Sequence, residues 1–156
     1  MRVPMIARWP GRIAAGSTCR ELATTMDLLP TFCSLTGAPL PPKKLDGFDI
    51  SGMLFGHKGV QSQYEALYYY RRRQLQAIRF GDWKYHLPLK ATHPNWTSAN
   101  QTGPGRPGKL VNLTSDLQEK TDVTAANPDV IQRIGELIQN AERTLGNDDK
   151  PGSEQR

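Results

Sequence analysis

The chain has 156 residues, of which 37% are hydrophobic and 22% are charged, as in an ordinary folded domain. Its longest unbroken apolar run, Ala66–Tyr70, is far shorter than the roughly 20 residues of a membrane-spanning helix, and Met1–Pro10 lacks the apolar stretch of a signal peptide. Twenty Lys and Arg against 15 Asp and Glu give a net charge of +5, which weakly favours anionic partners. None of these features assigns a cellular compartment or an oligomeric state.

The first 65 residues predict a few short elements followed by a loop. Val3–Trp9 is apolar and closed by a Pro-Gly pair, which predicts a buried strand, and Glu21–Thr25 predicts a second strand. Asp27–Thr36 has its apolar residues on one helical face and predicts a helix, with Gly37 just past its end. The Pro- and Gly-rich remainder predicts a surface loop with one helical turn at Ser51–Phe55.

From residue 66 onwards the pattern indicates a small antiparallel sheet and one long helix. Pro128–Leu145 carries a continuous apolar stripe at helical spacing, and the polar Asn147–Arg156 predicts a disordered tail. Residues 89–108 have no period and predict a loop. Four segments are predicted strands: Leu67–Arg72, Leu75–Phe80, Trp83–Leu87 and Lys109–Leu113. We expect these strands to form a four-stranded antiparallel sheet packed on the helix.

Few residues of the sequence suggest a catalytic or metal-binding role. His57, His86 and His93 have no second His or Cys at ligand spacing, so no metal site is predicted from them. Asp46 and Asp49 lack the alternating oxygen ligands and the closing Glu of a calcium loop. A structuring role for these two carboxylates in their own loop is favoured.

The run Tyr68–Arg73, three tyrosines followed by three arginines, is the one conspicuous cluster. One interpretation is a strand with alternate residues in the core and solvated charge on the other face. Two others are a rim that binds an anionic small molecule and a surface that stacks and neutralises nucleic acid. No second basic cluster accompanies it, so a nucleic-acid partner is the least favoured interpretation.

Several segments taken together resemble the sulfatases of the arylsulfatase type. The opening segment is similar to the family's stretch that ends in Trp-Pro-Gly, and the others follow in the family's order. The segments that carry the resemblance are Met1–Gly11, Ala23–Thr31, Leu35–Gly37, Asp46–Asp49, Leu75–Lys84 and Leu110–Leu113 with Asp116 and Glu119. The resemblance covers about residues 1 to 146.

The resemblance implies an α/β fold related to alkaline phosphatase, in which a large mixed-sheet domain precedes a smaller C-terminal subdomain. It implies that residues 1–65 are the terminal strands, helix and loop of the large domain. Residues 66–146 would form the antiparallel subdomain, α+β when taken alone, and residues 147–156 a disordered tail. The pattern of residues 66–145 predicts the same sheet and helix independently.

The resemblance also implies an enzyme that hydrolyses sulfate esters, such as aryl sulfates or sulfated carbohydrates. Family members use a formylglycine nucleophile, made from a Cys or Ser in a Cys/Ser-x-Pro/Ala-x-Arg motif, and a Ca²⁺ ion. Neither that motif nor the metal-binding Asp pairs occur in this sequence, so no catalytic and no metal-binding residues are predicted. We expect the chain to be the C-terminal portion of such an enzyme, inactive by itself. A non-catalytic module that binds sulfated ligands or nucleic acid is the alternative.

The segment Gly81–His86 is similar to a family segment whose His reaches the rim of the substrate pocket. On an alternating strand Lys84 and His86 share one face, and Trp83 and Tyr85 share the other. The resemblance therefore predicts a substrate-binding role for His86 and Lys84, and for Arg71 if a neighbouring strand brings it close. The alternative for His86 is a structural hydrogen bond to a loop.

Overall fold

A computed structural model describes residues 3–88, 105–147 and 150–154 of the chain. The chain divides into two compact units, Met1–Tyr64 and Glu65–Arg156. Most of the predicted loop at residues 89–108 lies outside the described residues, and so does His93. In the described part of the chain no helix is both long and apolar enough to cross a membrane.

The first unit is built around one helix. Helix α1 spans Leu28–Thr36 and ends at Gly37, whose φ of 74° is the left-handed conformation that glycine adopts without strain. A short helix, α2, spans Ser51–Leu54. Helix α1 confirms the prediction from periodicity and from the glycine stop signal, and α2 confirms the helical turn predicted at Ser51–Phe55.

The two strands predicted in this unit are wrong. Residues 3–9 form no strand, and Ile6 is 94% exposed. At the second position a 3-10 turn, Thr25–Asp27, replaces the end of the predicted strand. Thr24 caps this turn, since its hydroxyl accepts from the Met26 N–H at 3.1 Å and its own N–H donates to the Asp27 carboxylate at 2.5 Å. At Glu21–Thr25 the capping hydrogen bonds of the 3-10 turn therefore outweigh the strand propensity of the residues.

Asp27 is fully buried and joins the start of α1 to the loop that follows the helix. Besides the Thr24 N–H, its carboxylate accepts from the Phe48 N–H at 2.9 Å and from the Tyr64 hydroxyl at 2.5 Å. Burial, together with the adjacent Asp27, raises the pKa of Tyr64 to about 12. Gly47 is required here because a Cβ would lie 2.1 Å from the Met26 carbonyl oxygen. Asp27, with its buried carboxylate fully hydrogen-bonded, thus stabilises the predicted loop.

The second unit contains the predicted four-stranded antiparallel sheet. Its strands are β1 Leu67–Arg71, β2 Gln74–Phe80, β3 Trp83–His86 and β4 Lys109–Asn112, in the spatial order β1-β2-β3-β4. Helix α3 spans Pro128–Thr144, with proline at its start. The sheet and the helix confirm the predicted fold class.

The core of this unit lies between one face of the sheet and α3. Leu75 and Ile78 of β2 pack with Leu137 and Ala141 of the helix, and Tyr85 of β3 packs on this cluster. Ile78 is completely buried, which contributes roughly 1.5–3 kcal/mol for a side chain of this size. Strand residues that alternate with these core residues, such as the two neighbours of Tyr85 on β3, lie on the opposite face of the sheet.

The predicted disordered tail is wrong for its first residues, which form a two-stranded hairpin. Strand β5, Gly146–Asn147, pairs with β6, Lys150–Pro151. The Ser153 and Glu154 N–H groups then donate to the carbonyls of Arg143 and Thr144 at 3.0 and 2.8 Å, which satisfies acceptors that the end of α3 leaves open. Gly152 permits this because a Cβ would lie 2.3 Å from the Thr144 carbonyl oxygen.

Candidate functional site

Lys84 and His86 lie on the sheet face opposite α3. Tyr85, between them on β3, packs into the helix-facing core, and alternation directs its two neighbours to the other side. In the register with β4, Lys84 is opposite Val111 and His86 is opposite Lys109. The strand therefore presents an amine and an imidazole side by side on the face without a helix.

Both side chains bind one carboxylate, that of Glu119. The Lys84 ammonium donates to Glu119 Oε1 at 2.7 Å and to Oε2 at 2.8 Å. His86 Nε2 lies 2.6 Å from Glu119 Oε2. A carboxylate only accepts hydrogen bonds unless it is protonated, so His86 carries its proton on Nε2. The Lys84–Glu119–His86 cluster is thus a charge-assisted network across one face of the sheet.

The backbone after β4 brings Glu119 to this position. Glu119 has a φ of 55°, the left-handed region that residues with a Cβ seldom occupy. The Lys109 ammonium donates to the Glu119 and Lys120 carbonyls at 2.5 and 3.0 Å, and Asp116 accepts from the Thr121 N–H at 2.7 Å. A firmly bonded loop therefore presents the Glu119 carboxylate to the sheet.

Burial and charge set the ionisation of the cluster. The Lys84 side chain is 9% exposed, and its ammonium also lies 5.2 Å from the centre of the Tyr69 ring. Burial raises the pKa of Glu119, but the hydrogen bonds from Lys84 and His86 outweigh it and leave that pKa below its ordinary value. Burial lowers the pKa of His86 more than the Glu119 carboxylate raises it. His86 is therefore neutral near pH 7.

A neutral His86 with its proton on Nε2 keeps a lone pair on Nδ1, which accepts a hydrogen bond. The charge of Lys84 is compensated by Glu119. The cluster thus offers a ligand a hydrogen-bond acceptor and a fixed dipole rather than a pair of free cations. This chemistry suits a hydroxyl group better than a sulfate group.

The structure does not bring Arg71 to this cluster. Arg71 is exposed at the end of β1, where it pairs with Gln74. Strand β2 lies between β1 and β3, so two strand spacings, about 10 Å, separate the backbones. Strands β1 and β3 are therefore not the neighbours that the prediction for Arg71 required. The substrate-binding role of Arg71 stays a prediction.

Sequence reasoning missed the residues that complete the cluster, namely Glu119, Lys109 and Tyr69. Glu119 follows Lys84 by 35 positions and belongs to a loop, where no periodicity indicates which way a side chain points. The register of β3 with β4 places Lys84 and His86 beside the strand that leads into the Glu119 loop, but this register is a feature of the fold that the sequence alone does not give.

The calcium ion that the resemblance implies for a complete enzyme finds no ligand cluster among the described residues. Across residues 3–88, 105–147 and 150–154, no three His, Cys, Asp or Glu side chains come together in a way that could hold a metal ion. Glu119 is the acidic member of the cluster, and both of its oxygens already accept from Lys84 and His86. The donor set present does not fit a calcium ion.

Comparison with known proteins places this sheet and its helix in a family. Residues 62–155 match the family described as the C-terminal region of aryl-sulfatase. The chain belongs to the sulfatase family. Residues 1–81 match a second family model, described as the C-terminal part of N-sulphoglucosamine sulphohydrolase.

Individual sulfatases match over most of the chain. Human arylsulfatase A is 35% identical over 153 residues, which is 88% of this chain and 30% of that protein. N-acetylgalactosamine-6-sulfatase of Canis lupus familiaris is 31% identical over 167 residues, 93% of this chain and 31% of that protein. A structure solved in complex with its substrate, D-glucosamine-2-N,6-O-disulfate, superposes with a TM-score of 0.64 at 19% identity, over 94% of this chain and 29% of that one. The chain spans about a third of the length of these relatives.

Proposed function

We propose that this sulfatase chain is the C-terminal part of an enzyme that hydrolyses sulfate esters, with aryl sulfates or sulfated carbohydrates as substrates. The match of residues 62–155 to the C-terminal region of aryl-sulfatase carries this proposal. The names of the relatives, an arylsulfatase and a sulfatase of an amino sugar, support both substrate classes. The neighbour bound to a sulfated glucosamine supports the carbohydrate class further.

In the complete enzyme a Ca²⁺ ion and a formylglycine would supply the Lewis acid and the nucleophile. The sequence contains no formylglycine motif, and the residues that the structure describes form no metal cluster. The chain's own contribution would be to complete the fold and to shape the edge of the substrate pocket. We therefore expect the isolated chain to be inactive.

Within this proposal His86 binds the substrate and Glu119 positions it. Lys84 holds the Glu119 carboxylate from one side, so the carboxylate fixes the imidazole plane and its tautomer from the other. His86 then presents Nδ1 as an acceptor for a hydroxyl of the substrate. Such a contact acts on ground-state binding more than on the chemical step.

A chimera tests the proposal directly. This chain replaces the matching C-terminal segment of human arylsulfatase A, and hydrolysis of 4-methylumbelliferyl sulfate is measured for the chimera, for the parent and for the chain alone. We expect turnover by the chimera and none by the chain alone. Size-exclusion chromatography and thermal melting establish that the chimera is folded.

Two results would overturn the proposal. Turnover by the isolated chain would show that the catalytic groups lie within it. A chimera that is monodisperse and melts like the parent, yet hydrolyses no sulfate ester, would show that this chain does not serve as the C-terminal part of a sulfatase.

A further inference from the structure

The imidazole of His86 has two ring nitrogens, and the Lys84–Glu119–His86 cluster engages one of them. Nε2 lies 2.6 Å from Glu119 Oε2, and within the part of the chain that the structure describes no group forms a hydrogen bond with Nδ1. The His86 side chain is 23% exposed, so the ring is accessible to a ligand. The protonation state of Nδ1 therefore decides what His86 can bind.

The Glu119 carboxylate fixes where a second proton can be added to His86. Lys84 donates to both Glu119 oxygens, at 2.7 and 2.8 Å, which holds the carboxylate in place and favours its charged form. An ionised carboxylate only accepts hydrogen bonds, so Nε2 holds the proton of the neutral ring. Acidification must then add the second proton at Nδ1. This step converts Nδ1 from a hydrogen-bond acceptor into a cationic donor.

The charged groups around the ring come from its own strand, from β4 and from the segments on either side of β4: Lys84, Lys109, Arg106 and Glu119. The Lys109 ammonium donates to backbone carbonyls of the Glu119 loop. On β2 the residue opposite His86 is the uncharged Ala77, and Arg79 of the same strand donates to the Gly81 carbonyl. Burial lowers the pKa of His86, the charge of Lys84 lowers it further, and Glu119 opposes both. The charged ring therefore forms on the acid side of neutrality.

Protonation changes the ligand that suits this position. In the neutral cluster the charge of Lys84 is compensated by Glu119, and Nδ1 can only accept. After protonation the cluster carries one uncompensated positive charge, and its Nδ1–H is aligned to donate. A charge-assisted hydrogen bond to an oxyanion is roughly twice as strong as one between neutral groups, so a sulfate oxygen gains more from this change than a hydroxyl does. The Glu119 oxygens already accept from Lys84 and from Nε2, which reduces their repulsion of an anion.

We propose that His86 is a pH-controlled contact for a sulfate group: when neutral it accepts from a hydroxyl through Nδ1, and when protonated it donates from Nδ1 to a sulfate oxygen. The proposal rests on the substrate-binding role proposed above for His86 and adds the protonation state of the ring as its control. Glu119 is the positioning residue, because it directs the second proton to the nitrogen that is available to a ligand.

Imidazole nitrogen NMR shifts of the whole chain, followed from about pH 8 to about pH 5, test this with inorganic sulfate, glucose 6-sulfate or chloride at matched ionic strength. We expect the neutral His86 ring to carry its proton on Nε2, and sulfate to raise the pKa of His86, because a ligand that prefers the protonated form stabilises it. Sulfate should bind about tenfold more tightly at the acid end, the effect of one charge-assisted hydrogen bond. His86→Gln should abolish this pH dependence, and His57→Gln, at an exposed histidine of the first unit, should leave it unchanged. A larger response to glucose 6-sulfate assigns the sulfate ester, and a larger response to inorganic sulfate assigns the free ion.

Three observations count against this role of His86. They are a neutral His86 ring with its proton on Nδ1, a His86 titration that is the same in sulfate and in chloride, and a pH dependence of sulfate binding that persists in folded His86→Gln. The first two are read on the unaltered chain, so they decide the matter even where the variant does not fold. The titration involves no turnover, so a chimera that hydrolyses nothing and a His86 that ignores sulfate are separate failures.

Discussion

Replacing Glu119 by glutamine keeps the size of the side chain and removes its charge. The Lys84 ammonium, whose side chain is 9% exposed, then faces an amide that supplies one acceptor oxygen where two carboxylate oxygens accepted before. A hydrogen bond to a charged group contributes about 1.5–3 kcal/mol, and removing one partner of a buried ion pair costs about 3–5 kcal/mol. Because Glu119 is 26% exposed and one acceptor remains, we expect a loss of about 2 kcal/mol of unfolding free energy.

A double-mutant cycle isolates this pair. Urea unfolding is followed by circular dichroism for the wild type, Glu119→Gln, Lys84→Met and the double variant, and we expect a coupling energy of about 1–2 kcal/mol. Glu136→Gln is the matched control, because Glu136 pairs with Arg133 at the exposed surface of α3, where solvent screens the charges. A coupling energy below about 0.5 kcal/mol, or an equal loss in Glu136→Gln, would refute the reasoning.

Acid should destabilise the same cluster. The pKa of His86 lies below its ordinary 6.5 in the folded chain, so its contribution is present above pH 6.5 and is lost as the pH falls through the folded value. The pKa of Glu119 is also lowered, so its contribution is present above 4.5 and is lost at more acid pH. Unfolding free energy should therefore fall on acidification below neutral, and Glu119→Gln should flatten the acid part of the curve. An identical slope in the two proteins would contradict this.

Three further predictions concern other positions. Gly152→Ala should lower the unfolding free energy by about 1–3 kcal/mol, because its Cβ meets the helix carbonyls, whereas Gly135→Ala, with open space around it, should raise it by about 1 kcal/mol; equal urea midpoints would refute both. Tyr64→Phe removes a hydrogen bond to the buried Asp27 and should cost about 1–2 kcal/mol, checked by amide exchange in residues 24–48. His86→Ala in the active chimera should mainly raise KM, and an unchanged kcat/KM across several sulfate esters would leave His86 a structural role.

Sequence reasoning succeeded where the pattern is local and repeated. The apolar stripe of Pro128–Leu145 needs a surface to pack against. Alternate side chains of the aromatic-rich strands in residues 67–87 point to one face of the sheet and form that surface. Alternation also placed Lys84 and His86 together on the other face. What it did not supply is the identity of the group opposite them, because a loop residue such as Glu119 is positioned by tertiary hydrogen bonds that leave no periodic trace.

Two of the wrong fold predictions, the strand at Val3–Trp9 and the disordered tail, have the same physical origin. Val3–Trp9 has the composition of a strand, but a strand exists only through the neighbour that pairs with it, and none pairs with it among the described residues. The polar tail lacked any apolar pattern, and its hairpin is held instead by open carbonyls at the end of α3 and by glycines that allow close approach. Amino-acid composition indicates which residues tend to be buried. The conformation of both segments depends instead on backbone hydrogen bonds, which composition does not reveal.

The bonds from Tyr70 to Gly146 and from Leu75 to Asn147 join positions 76 and 72 residues apart. During synthesis at about 5–20 residues per second, β1 emerges roughly 4–15 s before the residues that fasten it. Through that interval the aromatic strand Leu67–Tyr70 has no completed helix or hairpin to cover it. The hydrogen bonds that fasten β1 and β2 to the hairpin therefore form only after α3 and the hairpin have been made, and until then the side chains of Tyr68 and Tyr70 lack the helix that they pack against.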